Sequence, residues 1–190
     1  MQVTLEYITP DAENFIGKMA GICYDAIDDP KRNVARASKC AQDGHLATLR
    51  FASAVFNISG ISRVCSHQFV RSKHLDFLQR SQRYCKELGA EVTIPKLTTE
   101  DQEIAYYTAI TNAQQAYQQL LDLGLRKEDA RFVLPEATHT EFNVVGNLQA
   151  WRDFIHLRAD PHAQWEIREV AKQINNILAT ECPHLFYWMN

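Results

Sequence analysis

The pattern of apolar and polar residues at the start of the chain predicts one strand followed by two helices. Residues 2–8 alternate between the two classes, as the residues of a half-buried strand do. Asp11 is the predicted N-cap of a helix in which apolar side chains recur at helical spacing over residues 15–23. A second helix is predicted over residues 31–42, and Asp43-Gly44 is its predicted stop.

The middle of the chain predicts a strand, a turn and two helices. Residues 51–58 are dense in strand-forming side chains, and Ser59-Gly60 is a turn signal that leads into a helix over residues 61–73. The longest helical pattern covers residues 97–123 and stops at Gly124. The helix is predicted to be scaffold, and its apolar residues lie on one face: Ile104, Tyr107, Ile110, Ala113, Tyr117, Leu120 and Leu121.

The last third of the chain adds helices and one strand. A short helix is expected at residues 127–132, a strand at 138–145, and longer helices at 148–157 and 161–178. Asp160 and Pro161 predict the start of the last helix, as an N-cap followed by proline at the first helical position. The sequence therefore predicts a single α+β domain over residues 1–190, with about six helices and a small mixed or antiparallel sheet.

Composition and charge narrow the function classes. The chain is 46% apolar and 23% charged, which is typical of a globular protein, and its net charge of −3 gives no global basic field for binding nucleic acid. With no apolar signal core and no long apolar stretch, we expect no membrane association and a cytoplasmic protein, in the host cytoplasm if the source is viral. Five cysteines without a CxxC pair favour reduced thiols, and neither they nor the seven histidines predict a metal site.

Residues 63–84 carry an unusual density of polar side chains for a protein with negative net charge. Five cations lie there among histidine, glutamine and serine residues: Arg63, Arg71, Lys73, Arg80 and Arg83. Guanidinium forks with hydroxyl and amide donors suit a phosphate or a carboxylate. The alternative is a solvated helix face with ion pairs. Two isolated arginines, Arg131 and Arg158, also adjoin apolar runs, and each could be structural.

Three stretches of the chain resemble the flavin-dependent thymidylate synthases. They are residues 44–84, residues 130–142 and residues 147–167, the last of which contains LRADPHAQWEI. The order and spacing of these stretches agree with the family over most of the chain. By this resemblance the sequence is identified as a divergent member of the family.

The resemblance implies a site for a pyrimidine nucleoside monophosphate, dUMP or UMP. Arg158 would be catalytic, because it would stabilise negative charge on the pyrimidine ring and make C5 nucleophilic. Arg83, Arg131 and the Ser81 loop would hold the 5′-phosphate. The full implied nucleotide set is Gln68, Arg71, Gln79, Arg80, Ser81, Gln82, Arg83, Arg131 and Arg158.

The resemblance also implies FAD as cofactor, with NADPH and methylenetetrahydrofolate as cosubstrates. The family signature is Arg-His-Arg, seven residues and Ser, whereas this chain has Arg71-Ser72-Lys73, seven residues and Ser81. The residues implied in FAD or folate binding are His45, Arg50, Arg71, Ser72, Lys73, Gln79, Asn147, Gln149 and Asp153.

Departures from the family cluster on the flavin side. Ala47 replaces a serine or threonine, Arg50-Phe51 replaces Glu-His, and Gln149 stands where an arginine is frequent. Either FAD binds through substituted contacts, with Arg50 and Lys73 supplying positive charge for its pyrophosphate, or the reaction has changed. The alternatives are a C5 methylase or hydroxymethylase of UMP or another pyrimidine nucleotide, with altered or absent flavin use, and a non-catalytic nucleotide-binding paralogue. Family resemblance further implies a homotetramer with sites at subunit interfaces.

Overall fold

The centre of the fold is a four-stranded antiparallel sheet. The structure is a computed structural model that describes residues 1–186, so residues 187–190 of the predicted domain lie outside the described residues. The strand order is β1-β2-β4-β3, which confirms the α+β class and the antiparallel sheet. The strands are β1 (Gln2–Ile8), β2 (Ser53–Ser62), β3 (Leu75–Gln79) and β4 (His139–Asn147).

Helices cover one face of this sheet and extend from its ends. Within the described residues the α-helices are α1 (Ala12–Gly21), α2 (Pro30–Gln42), α3 (Arg63–Phe69), α4 (Glu100–Asp122), α5 (Lys127–Ala130), α6 (Leu148–Arg158) and α7 (Trp165–Glu181). Short 3₁₀ turns occupy Ile22–Tyr24, Leu46–Phe51 and Arg131–Val133.

The core lies between the sheet and helices α6 and α7. Along β4, Phe142 and Val144 are buried whereas Glu141 and Asn143 are exposed, so the period of two sends one face inward and leaves the other open. Trp151 of α6 is fully buried and its indole Nε1 donates to the Ala54 carbonyl oxygen of β2 at 3.1 Å. This contact fixes α6 across the middle of the sheet.

Helices α1 and α2 pack at very short range. A Cβ placed on Gly17 would lie 1.8 Å from the carbonyl oxygen of Asn33, so only glycine permits this approach. Arg36 Nη1 donates to the Gly17 carbonyl oxygen at 2.7 Å. Both helices pack against the 3₁₀ turn that precedes β2.

The predicted turn at Ser59-Gly60 and the predicted end of the next helix are both wrong. β2 runs through these residues to Ser62, because a bulge before Ile61 absorbs the positive φ of 64° at Gly60. Helix α3 then ends at Phe69 instead of residue 73. The strand β3 that follows was not predicted, since its apolar residues do not alternate strictly.

Helix α1 begins directly after Asp11, as predicted, but the predicted start of α7 differs from the structure. Asp11 precedes α1 but has a left-handed φ of 47°, and its side chain makes no capping hydrogen bond to the helix. The Asp160 carboxylate accepts from the backbone N–H of His162 in a local turn. Helix α7 therefore begins at Trp165, where the Gln164 side chain accepts from the N–H groups of Glu166 and Ile167.

Helix α4 packs against its own chain less than its pattern predicts. Ile110 and Tyr117 are buried, but Ile104 is 58% exposed and Tyr107 is 46% exposed. Within one subunit, Ile110 and Tyr117 are therefore the only residues of the predicted apolar face that are buried. Among the described residues, no helix combines the length and apolar character needed to cross a membrane.

Candidate active site

A cavity of about 330 Å³ opens beside the end of the sheet at which β4 begins. Helix α3 supplies Arg63 and His67, the loop after β3 supplies Gln82, and the 3₁₀ turn after α5 supplies Arg131. The remaining lining residues are Phe132, Leu134, Pro135 and Glu136. Two guanidinium groups facing one cavity are suited to bind an anion.

The electrostatics of this cavity favour an incoming negative charge. Arg63 Nε is buried and has no hydrogen-bond partner. Burial is the main cause that lowers the pKa of Arg63, and the neighbouring Arg131 lowers it further, whereas Glu87 and Glu136 oppose them. An anion placed in the cavity would relieve the repulsion between the two arginines.

A hydrogen bond orients Arg131 at the cavity, whereas Arg83 lies in a neighbouring groove. Arg131 Nε donates to the backbone oxygen of Glu128 at 3.0 Å, which orients its guanidinium at the cavity wall. Arg83 Nε lies 3.1 Å from the Glu128 carboxylate, and the Arg83 guanidinium packs over the ring of Tyr84. Arg83 lines a neighbouring groove that Leu125 also lines.

The last residue of β3 and the other residues of the loop that follows make contacts within the chain. Gln79 Nε2 donates to the hydroxyl groups of Ser66 at 3.0 Å and Thr140 at 3.1 Å. Arg80 pairs with the buried Glu87 at 3.5 Å, and Ser81 Oγ accepts from the backbone N–H of Arg83 at 3.2 Å. These bonds fix the loop that carries Gln82 into the cavity.

Arg158 and Gln68 meet where α6 ends beside α3. Arg158 Nη2 donates to the Gln68 backbone oxygen at 3.0 Å, and Arg158 Nε is buried without a partner. Cys65 is buried on the same short helix, and burial raises the pKa of its thiol. The thiol therefore stays protonated at neutral pH, which argues against a nucleophilic role for Cys65.

Most of the predicted flavin residues gather at the opposite end of the sheet, where β4 finishes. Ser53 pairs with Asn147, and Leu75 pairs with Gly146, so the residues before β2 and β3 adjoin the start of α6. The nearby Arg50 Nε donates to Gln149 Oε1 at 2.7 Å. The other predicted residues at this end are His45, Arg71, Ser72 and Lys73, together with Asp153 on the exposed side of α6.

Comparison with known proteins assigns this arrangement to a family. The sequence profile of the thymidylate synthase complementing protein family matches residues 4–184. The chain belongs to this family. It is 38% identical to the flavin-dependent thymidylate synthase of Mycolicibacterium gilvum, over 86% of this chain and 74% of that protein. It is 35% identical to the enzyme of the same name from Geobacter sulfurreducens, over 98% of this chain and 85% of that protein.

As a member of the thymidylate synthase complementing protein family, the chain should accommodate a flavin, and its residues fit one. Ser72 Oγ, at the second signature position, is buried and has no partner. Arg50 and Lys73 are exposed cations at the same end of the sheet. Free hydroxyl and cationic donors of this kind suit the pyrophosphate of a dinucleotide.

Two of the residues that line the cavity were not assigned individual roles from the sequence. Arg63 and His67 lie within the polar segment, four residues apart on one helix, and this spacing places them on the same face. That spacing was the available signal. Among residues 1–186, no group of three or more His, Cys, Asp or Glu side chains is placed to bind a metal ion.

Proposed function

We propose that this chain is a flavin-dependent thymidylate synthase that methylates C5 of dUMP to give dTMP. The observation that carries the proposal is the arginine-lined cavity of about 330 Å³ beside the loop after β3. Methylenetetrahydrofolate is the carbon donor and NADPH is the reductant. When bound, the flavin supplies the hydride that completes the methyl group.

The substrate phosphate binds in this cavity. Arg63 and Arg131 offer guanidinium donors, and the Ser81 loop brings Gln82 beside them. Charge-assisted bonds of this type are the strong class of hydrogen bond, so the phosphate supplies much of the binding energy.

Arg158 acts on the pyrimidine ring. Its bond to the Gln68 carbonyl leaves the Nε donor free for the N3/O2 edge of the ring, where negative charge develops as C5 becomes nucleophilic. A fixed guanidinium needs no reorganisation when that charge forms. Gln68 therefore orients the arginine through its backbone oxygen.

We also propose that the site is completed by other copies of the chain in a homotetramer. Arg71 precedes β3 and Ser81 follows it, and the five residues of that strand span roughly 16 Å. In one subunit the two ends of the proposed nucleotide set are therefore far apart. The exposed apolar residues of α4, Ile104 and Tyr107, offer a surface for a second copy.

Purified protein tests this proposal directly. We expect it to carry FAD, which its visible absorbance reports, and to convert dUMP to dTMP with methylenetetrahydrofolate and NADPH. Mass spectrometry separates the methyl product from a hydroxymethyl product, and a parallel reaction with UMP tests the sugar. Failure to bind FAD at saturation would contradict the flavin-dependent reaction.

Arg50→Gln should weaken FAD binding by about tenfold, because the substitution removes a charge-assisted donor to the pyrophosphate. The dissociation constant, measured by quenching of FAD fluorescence on titration with apoprotein, gives this result without any turnover. Arg32→Gln is the control, since Arg32 is an exposed cation on α2. Equal FAD affinity in the two variants would show that Arg50 does not contribute to FAD binding.

A further inference from the structure

The contact that carries a further inference is the ion pair between Arg83 and Glu128. Arg83 Nε lies 3.1 Å from Glu128 Oε2, and Arg126 lies 3.7 Å from the other carboxylate oxygen. The pair lies next to the cavity. Gln82, which precedes Arg83, and Arg131, which donates to the Glu128 backbone oxygen, both line that cavity. Arg83 itself points into the adjoining groove.

We propose that Glu128 is an internal competitor for the substrate phosphate and sets the affinity of the site for nucleotides. Its carboxylate holds Arg83 outside the cavity when no nucleotide is bound. A bound phosphate takes the place of the carboxylate at the Arg83 guanidinium. The inference rests on the proposed function, because the competing anion is the phosphate of dUMP.

The chemistry of the two anions makes the exchange feasible. A guanidinium binds carboxylate and phosphate with the same planar fork, and the phosphate carries more negative charge. The side chains of Arg83 and Glu128 are 55% and 34% exposed, so water screens their attraction. A pair this exposed is weak enough for an incoming phosphate to displace it.

The side chain and the backbone of Glu128 make separate contacts. Its carboxylate pairs with Arg83 and Arg126, whereas its backbone oxygen accepts from Arg131 Nε at 3.0 Å. A change of the side chain therefore releases Arg83 and leaves the orientation of Arg131 intact. Glu128→Gln is the appropriate variant, since it keeps the size of the side chain and removes its charge.

We expect Glu128→Gln to tighten dUMP binding by about two- to fivefold, which is the range of an exposed ion pair. Isothermal titration of the holoenzyme with dUMP measures this change. Deoxyuridine, which has no phosphate, should bind both proteins equally. A purely structural role for Glu128 would alter the affinity for both ligands together.

Two further variants complete the test. Asp129→Asn removes the same charge from the same short helix at an exposed side chain that does not pair with Arg83, and it should change dUMP affinity less. In an Arg83→Ala background, Glu128→Gln should no longer tighten binding, because the two effects are coupled. Equal tightening in that background, or none in the single variant, would overturn the competitor role. Absence of dUMP binding by every protein would instead overturn the proposed function, and the competitor with it.

Discussion

Arg158→Ala is expected to lower kcat by about 10²–10³-fold, the loss that follows removal of one preorganised donor from a developing negative charge. The KM for dUMP should change much less, since the phosphate is bound elsewhere, by Arg63 and Arg131. Steady-state kinetics with saturating methylenetetrahydrofolate and NADPH measure both constants. The loss in kcat with retained KM is the signature of a group that acts mainly in the transition state.

The conservative variant and a distant arginine sharpen this test. Arg158→Lys keeps the charge but loses the planar fork, so it should recover only part of kcat. Arg168→Ala on α7 removes an arginine whose Nη1 bonds to the Pro161 carbonyl oxygen, and its kcat should match the wild type. If Arg158→Ala instead raised KM and left kcat unchanged, Arg158 would only bind the nucleotide.

Local patterns predicted much of the fold because most elements have a clear period and clear ends. β1 has the predicted bounds, and α2 starts where Asp29 and Pro30 cap it, with Asp29 accepting from the Arg32 N–H. The strand β3 was missed because Leu78 is apolar yet 79% exposed, which hides the inward alternation of Leu75 and Phe77. Tertiary contacts decide such a short edge strand, and the sequence around it does not contain them.

The candidate site was predictable in composition and less so in geometry. The polar segment pointed to an anion site, and the family resemblance added Arg131 to it. The structure brings Arg63, Gln82 and Arg131 to one cavity. The pairing of Arg83 with Glu128 was not predictable, because the two residues are 45 positions apart and lie on separate elements. Long-range pairs of this kind depend on the packing of α5 beside the loop after β3.

The junction between β2 and α3 depends on a single buried carboxylate. Glu166 of α7 is 2% exposed, and its Oε1 accepts from the Ser62 N–H at 2.8 Å and from the Thr93 hydroxyl at 3.1 Å. Its Oε2 accepts from the Ser62 hydroxyl, which in turn caps α3 by accepting from the Cys65 N–H. The start of the helix that carries Arg63 is therefore tied to α7.

Glu166→Ala should lower the free energy of unfolding by about 3 kcal/mol or more, because two buried donors of Ser62 and the part-buried Thr93 hydroxyl lose their acceptor. For a chain of this length the melting temperature should fall by about 6–12 °C. Differential scanning calorimetry measures the shift. Glu169→Ala, one turn on and exposed, breaks only a contact with Gln173, so it should stay within about 0.5 kcal/mol of the wild type.

Glu166→Ala should also weaken dUMP binding, because α3 positions both Arg63 and the Gln68 carbonyl that orients Arg158. The carboxamide of Glu166→Gln keeps one acceptor oxygen for Ser62 and Thr93, so this variant should recover part of both the stability and the affinity. Glu166→Ala could instead melt at a lower temperature yet bind dUMP normally below that temperature. The carboxylate would then stabilise the fold without positioning the cavity arginines, and the link between α7 and the nucleotide site would be wrong.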